Sequence, residues 1–129
     1  MVCADTDFLI DLKDRDEKAM KKMEDLESKG VEIFTTAINV AEFYYGVYRS
    51  KNKESALATA DRFLKPFSIL SLGYTSAKIY GELAEKMKSN TIGDLDLFIA
   101  SIALANKQTI VTRNTKHFER VPGLKLESW

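Results

Sequence analysis

Residues 92–112 read I-G-D-L-D-L-F-I-A-S-I-A-L-A-N-K-Q-T-I-V-T and contain the clearest structural signal in the chain. The apolar run after Gly93 predicts a buried helix that begins at Gly93, and the β-branched residues 109–112 predict a strand behind it. Within residues 95–106, Asp96 is the only charged side chain. A buried helix that leads into a buried strand indicates a domain of alternating α and β elements.

The same alternation continues along the rest of the chain. Further strands are predicted at residues 1–5, 31–34, 67–70 and 124–126, and further helices at 6–12, 16–29, from Thr35 or Thr36 onward, 53–65 and 74–89. Strands separated by helices predict an α/β fold with a small, mostly parallel sheet. In such sheets ligands bind beyond the carboxyl ends of the strands, which is where Asp5, Thr112 and Asn114 fall.

The composition is typical of a globular protein. The chain has 129 residues, 45% of them hydrophobic and 29% charged, and this length suits one domain spanning residues 1–129. Its 19 basic and 19 acidic residues cancel, which argues against nucleic-acid binding through overall charge and leaves only local basic patches. No apolar run approaches the roughly 20 residues that cross a bilayer, and no basic region precedes the apolar start. We therefore expect a cytoplasmic protein without a membrane partner.

Three acidic residues lie in otherwise apolar segments. Asp96 is one, Glu42 is the only charged residue within residues 36–48, and Asp5 ends the apolar start V-C-A-D. A carboxylate among apolar residues is costly unless a partner or a cation neutralises it. Because oxygen ligands suit Mg²⁺ and Mn²⁺, a shared divalent metal is the simplest common destination for the three.

Each of these acids also has a simpler explanation. Glu42 could be held by a buried hydrogen bond or an arginine, and Asp5 could serve only as the N-cap of the following helix. An acid in the first turn of a helix interacts favourably with the helix dipole. That role suits Asp94 better than Asp96, because the two residues face different directions about the helix axis.

Cys3 and His117 are the only cysteine and histidine in the chain. One residue of each type leaves no zinc site built from histidine and cysteine clusters, and argues against Ser-His-Asp or Cys-His catalysis. We expect Cys3 to be buried in the first strand and His117 to be a surface or structural residue. Asp7 and Asp11 are expected to be ordinary helix residues, so that any enzymatic chemistry depends on the three isolated carboxylates.

Four segments carry a family resemblance. They read A-D-T-D-F-L-I-D at residues 4–11, N-V-A-E-F-Y-Y-G at 39–46, I-G-D-L-D-L-F-I-A at 92–100 and T-R-N-T-K-H-F-E-R-V-P-G-L at 112–124. In this order and spacing the chain resembles the PIN-domain ribonucleases, specifically the VapC-type toxins of prokaryotic toxin–antitoxin modules, over essentially its whole length. The resemblance implies a three-layer α/β/α sandwich around a small parallel sheet, and RNA cleavage with Mg²⁺ or Mn²⁺ held by acids.

The resemblance also implies roles for individual residues. Asp5 and Asp96 match family acids that ligate the metal, and Glu42 matches one that binds it through water or orients the attacking water. The fourth family position falls on Asn114, where many relatives carry Asp, so that the site is one negative charge short unless Asp94 compensates. The residues expected to position water or phosphate are Thr6, Thr112, Asn114 and Arg113, with Lys116 as a further backbone contact.

The implied partners are RNA, a VapB-type antitoxin and a second copy of the chain. The C-terminal segment of such an antitoxin lies in a groove near the site. A homodimer interface could use Phe43, Tyr44, Tyr45 and Tyr48, although about half of these aromatic residues could equally belong to the core.

Two other kinds of function stay open. A catalytically degenerate PIN-fold module that binds RNA or protein would keep the acids without turnover, and Asn114 is the residue that favours it. A phosphatase or receiver-like domain would accept a phosphoryl group on Asp5 or Asp96, but the spacing of Glu42 fits that function poorly.

Overall fold

Five parallel strands and seven helices alternate along the chain in this computed structural model, which describes residues 1–129. The strands are β1 (Val2–Ala4), β2 (Ile33–Thr36), β3 (Ser68–Leu70), β4 (Thr109–Val111) and β5 (Lys125–Glu127). The helices are α1 (Thr6–Lys13), α2 (Glu17–Ser28), α3 (Ala37–Tyr48), α4 (Lys53–Leu64), α5 (Tyr74–Lys86), α6 (Asp94–Ala105) and α7 (Thr115–Phe118).

The sheet has the strand order β3-β2-β1-β4-β5, so that the first strand of the chain lies at its centre. In the register, Cys3 is opposite Phe34 of β2 and Ala4 is opposite Val111 of β4. Because all strands are parallel, Asp5, Thr36 and Thr112 follow or end three neighbouring strands at the same edge. These three residues therefore lie near one another at the carboxyl edge of the sheet.

Two apolar clusters cover the two faces of the sheet, because side chains alternate between faces along each strand. Val2 and Val111 belong to the cluster formed with α1, α2, α3 and α4. Ile110, which points to the opposite face, belongs to the cluster formed with α5, α6 and α7. This arrangement of helix, sheet and helix confirms the predicted three-layer α/β/α sandwich.

The local predictions hold with small shifts. Thr36 is the N-cap of α3 and accepts from the backbone of Asn39, as one of the two predicted caps. Gly93 precedes α6 with φ +94, a conformation that favours glycine. The second strand begins at Ile33 rather than residue 31, because the backbone amide of Val31 still donates to Leu26 at the end of α2. The predicted helix 74–89 ends at Lys86, and α7 was not predicted.

Membrane insertion finds no support in the helices, none of which is both long and apolar enough to cross a bilayer.

An acidic site at the carboxyl edge of the sheet

Asp5 is the buried centre of a polar network. It is 8% exposed and caps α1, accepting from the backbone amide of Thr6 at 2.9 Å. Its Oδ1 also accepts from the side-chain amide of Asn39 at 2.9 Å, and its Oδ2 accepts from the hydroxyl of Thr112 at 2.8 Å. The N-cap role and a functional role are thus compatible, because the cap uses one carboxylate lone pair among several.

The carboxyl of Asp5 has a raised pKa, and burial is the main cause. Burial raises the pKa of Asp5 from 3.8 to about 6, and the neighbouring charge of Asp7 adds to the rise. The hydrogen bonds from Thr112 and Thr6 oppose it, because they favour the ionised carboxylate. The charge of Asp96 contributes the smallest part of the rise in the pKa of Asp5.

Glu42 is connected to Asp5 through two intermediate side chains. The hydroxyl of Thr6 donates to Glu42 Oε1 at 2.6 Å, and the Asn39 amide donates to the same Thr6 oxygen at 2.9 Å. Asn39 is fully buried, and its own carbonyl accepts from the hydroxyl of Thr36 at 2.6 Å. Hydrogen bonds therefore connect the start of α3 to the end of β1. The hydrogen bond that the simpler explanation requires for Glu42 is donated by Thr6.

Asp96 and Asp94 face different directions, as the helix geometry predicts. Asp96 Oδ2 lies 2.8 Å from Nε2 of His117 on α7. Asp94 is exposed and accepts from the hydroxyl of Tyr80 at 3.1 Å. His117 was expected to be only a surface or structural residue, but its half-buried ring contacts one of the three isolated acids.

Asp7 belongs to the site, which corrects its prediction as an ordinary helix residue. Its Oδ2 accepts from the backbone amide of Arg113 at 2.9 Å and lies 3.3 Å from the hydroxyl of Thr112. Its Oδ1 is buried without a hydrogen-bond partner. Burial raises the pKa of Asp7, and the amide hydrogen bond from Arg113 opposes the rise. We refer to Asp5, Asp7, Glu42 and Asp96 together as the acidic site.

The side chain of Arg113 points away from the acidic site. Its guanidinium lies 3.2 Å from Asp11 Oδ2 and 3.4 Å from Asp16 Oδ2, and packs 4.9 Å from the centre of the Trp129 ring. Asp11 also accepts from the Trp129 indole at 3.3 Å. Any contact between Arg113 and a phosphate would therefore compete with two carboxylates and an aromatic face.

Asn114 takes part in the site through its backbone alone. Its amide donates to the Thr112 hydroxyl at 3.0 Å, and it is the N-cap residue of α7 without a side-chain capping bond. Its side chain is exposed. The structure thus brings His117, and not Asn114, into contact with the acids.

Sequence reasoning missed Asn39, Asp7 and His117 as members of the site. Asn39 carried a usable signal, because it lies three residues before Glu42 and shares its helix face. Asp7 and His117 carried none, since their partners lie on distant segments of the chain: Asp7 meets Arg113 and His117 meets Asp96.

The donor atoms of the acidic site fit a hard divalent cation, but they are not assembled around one point. Carboxylate oxygens are the ligands that such cations prefer, and the orphaned Oδ1 of Asp7 is a buried acceptor in need of a partner. No group of three or more His, Cys, Asp or Glu side chains is arranged to hold a metal ion. Instead each acid is held by a partner within the protein, so ligation of one ion requires some of these carboxylates to change orientation.

A second feature is an open groove of about 570 Å³ between α1, α2 and α4. Its floor includes the apolar side chains of Leu12, Met23 and Phe63. Three cations, Lys13, Arg15 and Arg62, also line it, against a single acid, Glu27. The groove begins at the end of α1 opposite Asp5, so it is a separate surface from the acidic site.

Comparison with known proteins places this architecture in context. The family model described as "PIN domain" matches residues 2–124. The ribonuclease VapC2 of Rickettsia felis is 40% identical over 107 residues, covering 81% of this chain and 80% of the relative. The tRNA(fMet)-specific endonuclease VapC of Salmonella typhimurium is 29% identical over 96 residues, covering 73% of each chain. The crystal structure of VapBC2 from Rickettsia felis, bound to a DNA fragment from its promoter, matches with TM-score 0.91 and 34% identity over 100% of this chain and 99% of that one.

Proposed function

Because this chain belongs to the PIN-domain family, and within it to the VapC ribonucleases, we propose that it is an endoribonuclease whose acidic site hydrolyses RNA phosphodiester bonds as the toxin of a toxin–antitoxin pair. The observation that carries this proposal is the hydrogen-bonded path from Asp5 through Asn39 and Thr6 to Glu42. It holds two acids from different elements at the carboxyl edge of the sheet, where ligands bind in this class of fold.

VapC nucleases depend on a divalent metal, and we propose Mg²⁺ or Mn²⁺ for this chain. Asp5 and Asp96 would be its direct ligands, with Glu42 reached through water and Asp7 as an additional acceptor. When bound, such a metal lowers the pKa of water and neutralises the charge that develops on phosphate. The support is the oxygen-only donor set and the unpartnered Oδ1 of Asp7.

The protein's own residues perform the remaining steps. Hydrolysis adds water across one P–O bond of the RNA backbone, so that one product oxygen gains a proton and the attacking water loses one. We assign Glu42 to accept that proton, because Thr6 occupies only Oε1 and leaves Oε2 free, while Asp5 and Asp96 are assigned to the metal. The exposed side-chain amide of Asn114 would bind the phosphate, and Lys116 adds a positive charge on α7. The Thr112 hydroxyl is fully buried, so its role is to hold Asp5 and the backbone of Asn114 rather than to contact the phosphate.

Cleavage with matched variants tests the proposed activity. The purified chain should cleave RNA with Mg²⁺ or Mn²⁺ and stop when EDTA removes the metal. Glu42→Gln should lose the activity, whereas Glu54→Gln, an exposed acid at the start of α4, should retain it. Full activity in EDTA, or equal activity of the two variants, would contradict the carboxylate mechanism. A folded chain that binds metal but turns over no RNA would favour the degenerate binding module.

The name of the Salmonella relative suggests a first substrate. We propose tRNA(fMet) as the RNA to test, because that relative is a tRNA(fMet)-specific endonuclease at 29% identity. The assay compares initiator with elongator methionine tRNA at equal concentration, and maps the 5′ ends of the products. Preference for the initiator supports a shared substrate, whereas equal cleavage or cleavage elsewhere rejects it without affecting the assignment as a ribonuclease.

The inhibiting partner is a VapB-type antitoxin, and we propose that part of it lies in the groove between α1, α2 and α4. The apolar floor and the cations that line the groove suit an amphipathic segment with acidic side chains. Met20 lines the groove and is 40% exposed, so Met20→Lys should weaken antitoxin binding without harming the fold. Ile10→Lys is the matched control, because Ile10 is 41% exposed and does not line the groove. Equal binding by both variants would reject the groove as the contact.

A cytoplasmic location and a homodimer stay predictions. Of the aromatic residues predicted for a dimer interface, Phe43 is buried in the core and Tyr44 is half-buried with its hydroxyl on Asp61. Tyr45 and Tyr48 are 68% and 57% exposed, which leaves them free for a partner chain. Replacing both with Ser and measuring the oligomeric state by light scattering tests that part of the prediction.

A further inference from the structure

His117 is held in a defined position by the fold. It lies on α7, a short helix whose next residue, Phe118, is fully buried in the apolar cluster of α5 and α6. The two rings meet edge to face with centroids 5.6 Å apart. Because Phe118 anchors the helix, the imidazole has little freedom to move away from its present site.

The partner of His117 is Asp96 alone. His117 Nε2 lies 2.8 Å from Asp96 Oδ2, and the two side chains are 24% and 30% exposed. No other protein donor contacts this carboxylate, in contrast to Asp5, which three donors hold. The contact occupies Oδ2 and leaves Oδ1 of Asp96 without a protein partner.

We propose that His117 is a positioning residue, which holds Oδ2 of Asp96 and thereby leaves Oδ1 available as a metal ligand. The inference rests on the proposed function. The reason is geometric: Asp96 stands partly exposed on the first turn of α6, and His117 is the only side chain in contact with its carboxylate. Partners behind a ligating group usually set its orientation, and their loss typically weakens metal binding about 10- to 100-fold.

Metal affinity provides the first test, independent of catalysis. Calorimetric titration with Mn²⁺ compares the wild-type chain with His117→Leu, His117→Gln and the control Glu119→Gln, which removes an exposed charge next to α7. We expect about tenfold weaker binding for His117→Leu, partial recovery for His117→Gln, whose amide can still donate to Asp96, and wild-type binding for the control. Thermal unfolding in EDTA checks that all four chains are folded, and we expect a cooperative transition for each.

The ring signals of His117 provide the second test, because the chain contains a single histidine. In ¹⁵N NMR spectra recorded at constant pH, addition of Mg²⁺ should move both ring signals with the midpoint found by calorimetry. Asp96→Asn should move them without metal and abolish the response to Mg²⁺. If His117→Gln folds normally but binds Mn²⁺ no more tightly than His117→Leu, the loss of Mn²⁺ affinity comes from changed packing. That result overturns the positioning role.

The outcomes separate this inference from the proposed function. If the wild-type chain binds Mn²⁺ and cleaves RNA but His117→Leu binds Mn²⁺ equally well or more tightly, only the positioning role is overturned. Ring signals that stay fixed through Mg²⁺ saturation overturn it in the same way. If the wild-type chain binds no Mn²⁺ at all, the metal mechanism and the positioning role are both overturned.

Discussion

Replacing Asp5 with asparagine should stabilise the protein in the absence of metal while it destroys activity. The pKa of Asp5 is about 6 in the folded chain and 3.8 for an ordinary aspartate. Each unit of that difference corresponds to 1.36 kcal/mol, so the ionised carboxylate costs the fold about 3 kcal/mol near pH 7. The Asp5→Asn substitution removes that cost, because an amide carries no charge to desolvate.

The surrounding hydrogen bonds accommodate the amide. The side-chain oxygen of the new amide can accept from Asn39 and Thr6 as Oδ1 does now, and its NH₂ can donate to the Thr112 oxygen. The Thr112 proton then turns to Asp7 Oδ2, which already lies 3.3 Å away. The side chains of Asn39 and Thr112 and the backbone amide of Thr6 each keep a hydrogen-bond partner, so the electrostatic gain should persist.

The sign of the pH dependence follows from the raised pKa. Because folded Asp5 holds its proton up to about pH 6, its ionisation destabilises the wild-type chain increasingly as the pH rises from about 4 to 6. The stability difference between Asp5→Asn and wild type should therefore be about 3 kcal/mol at pH 7 and about 1 kcal/mol at pH 4.5. Other titrating groups are common to both chains and cancel in this difference.

Urea unfolding in EDTA at the two pH values measures this difference directly. Asp14→Asn is the matched control, because Asp14 is a mostly exposed acid at the end of the same helix, with a side chain 62% exposed. The control should differ little from wild type at either pH. A stability difference for Asp5→Asn that is independent of pH, or a less stable Asp5→Asn chain at pH 7, would refute the account of Asp5 as a desolvated carboxylate.

Further substitutions test other parts of the site. Asp96→Asn should abolish cleavage and leave the metal-free fold at least as stable as wild type. Leu97→Ala should lower the free energy of unfolding by ~2–5 kcal/mol, because Leu97 is 3% exposed. If urea unfolding instead shows Asp96→Asn to be the less stable of the two variants, Asp96 is a structural residue. Asn39→Leu should lower the free energy of unfolding by about 1–3 kcal/mol, because it leaves Thr36 and Thr6 without their buried partner. It should also weaken Mn²⁺ binding in calorimetry. An unchanged Mn²⁺ affinity would mean that Asn39 serves only in packing. Asn114→Asp should strengthen a second Mn²⁺ binding step by adding a charge beside Thr112, and a titration identical to wild type would mean that residue 114 does not face the cation.

The sequence was most informative about elements that local chemistry determines. Thr36 caps α3 because its hydroxyl can reach the amide of Asn39, and this depends only on neighbouring residues. Gly93 precedes α6 because its φ of +94 disfavours a side chain. Glu42 and Asp96 could be recognised as candidate site residues for the same reason. The free-energy cost of placing a charge among apolar residues depends on the neighbouring sequence, which is visible without the fold.

Contacts between segments that are distant in the chain could not be predicted from the sequence. The Asp7 carboxylate meets the backbone of Arg113, and nothing near Asp7 distinguishes it from an ordinary first-turn acid. His117 meets Asp96 because α7 packs on the same cluster as α6, and α7 itself is only four residues long, too short for a periodic pattern. Arg113 was expected to face RNA, but Asp11, Asp16 and Trp129 surround its guanidinium once the chain is folded.

The central claim, that these acids hold the metal for RNA hydrolysis, is tested most directly by locating the metal. Crystals of Glu42→Gln grown with Mn²⁺ and an RNA fragment would show the ion by its anomalous scattering. The account predicts an anomalous peak about 2.0–2.2 Å from carboxylate oxygens of both Asp5 and Asp96, with the RNA phosphate beside it. The central claim would be contradicted if, at saturating Mn²⁺, no ion were bound to Asp5 and Asp96. An ion bound only by other residues would contradict it equally.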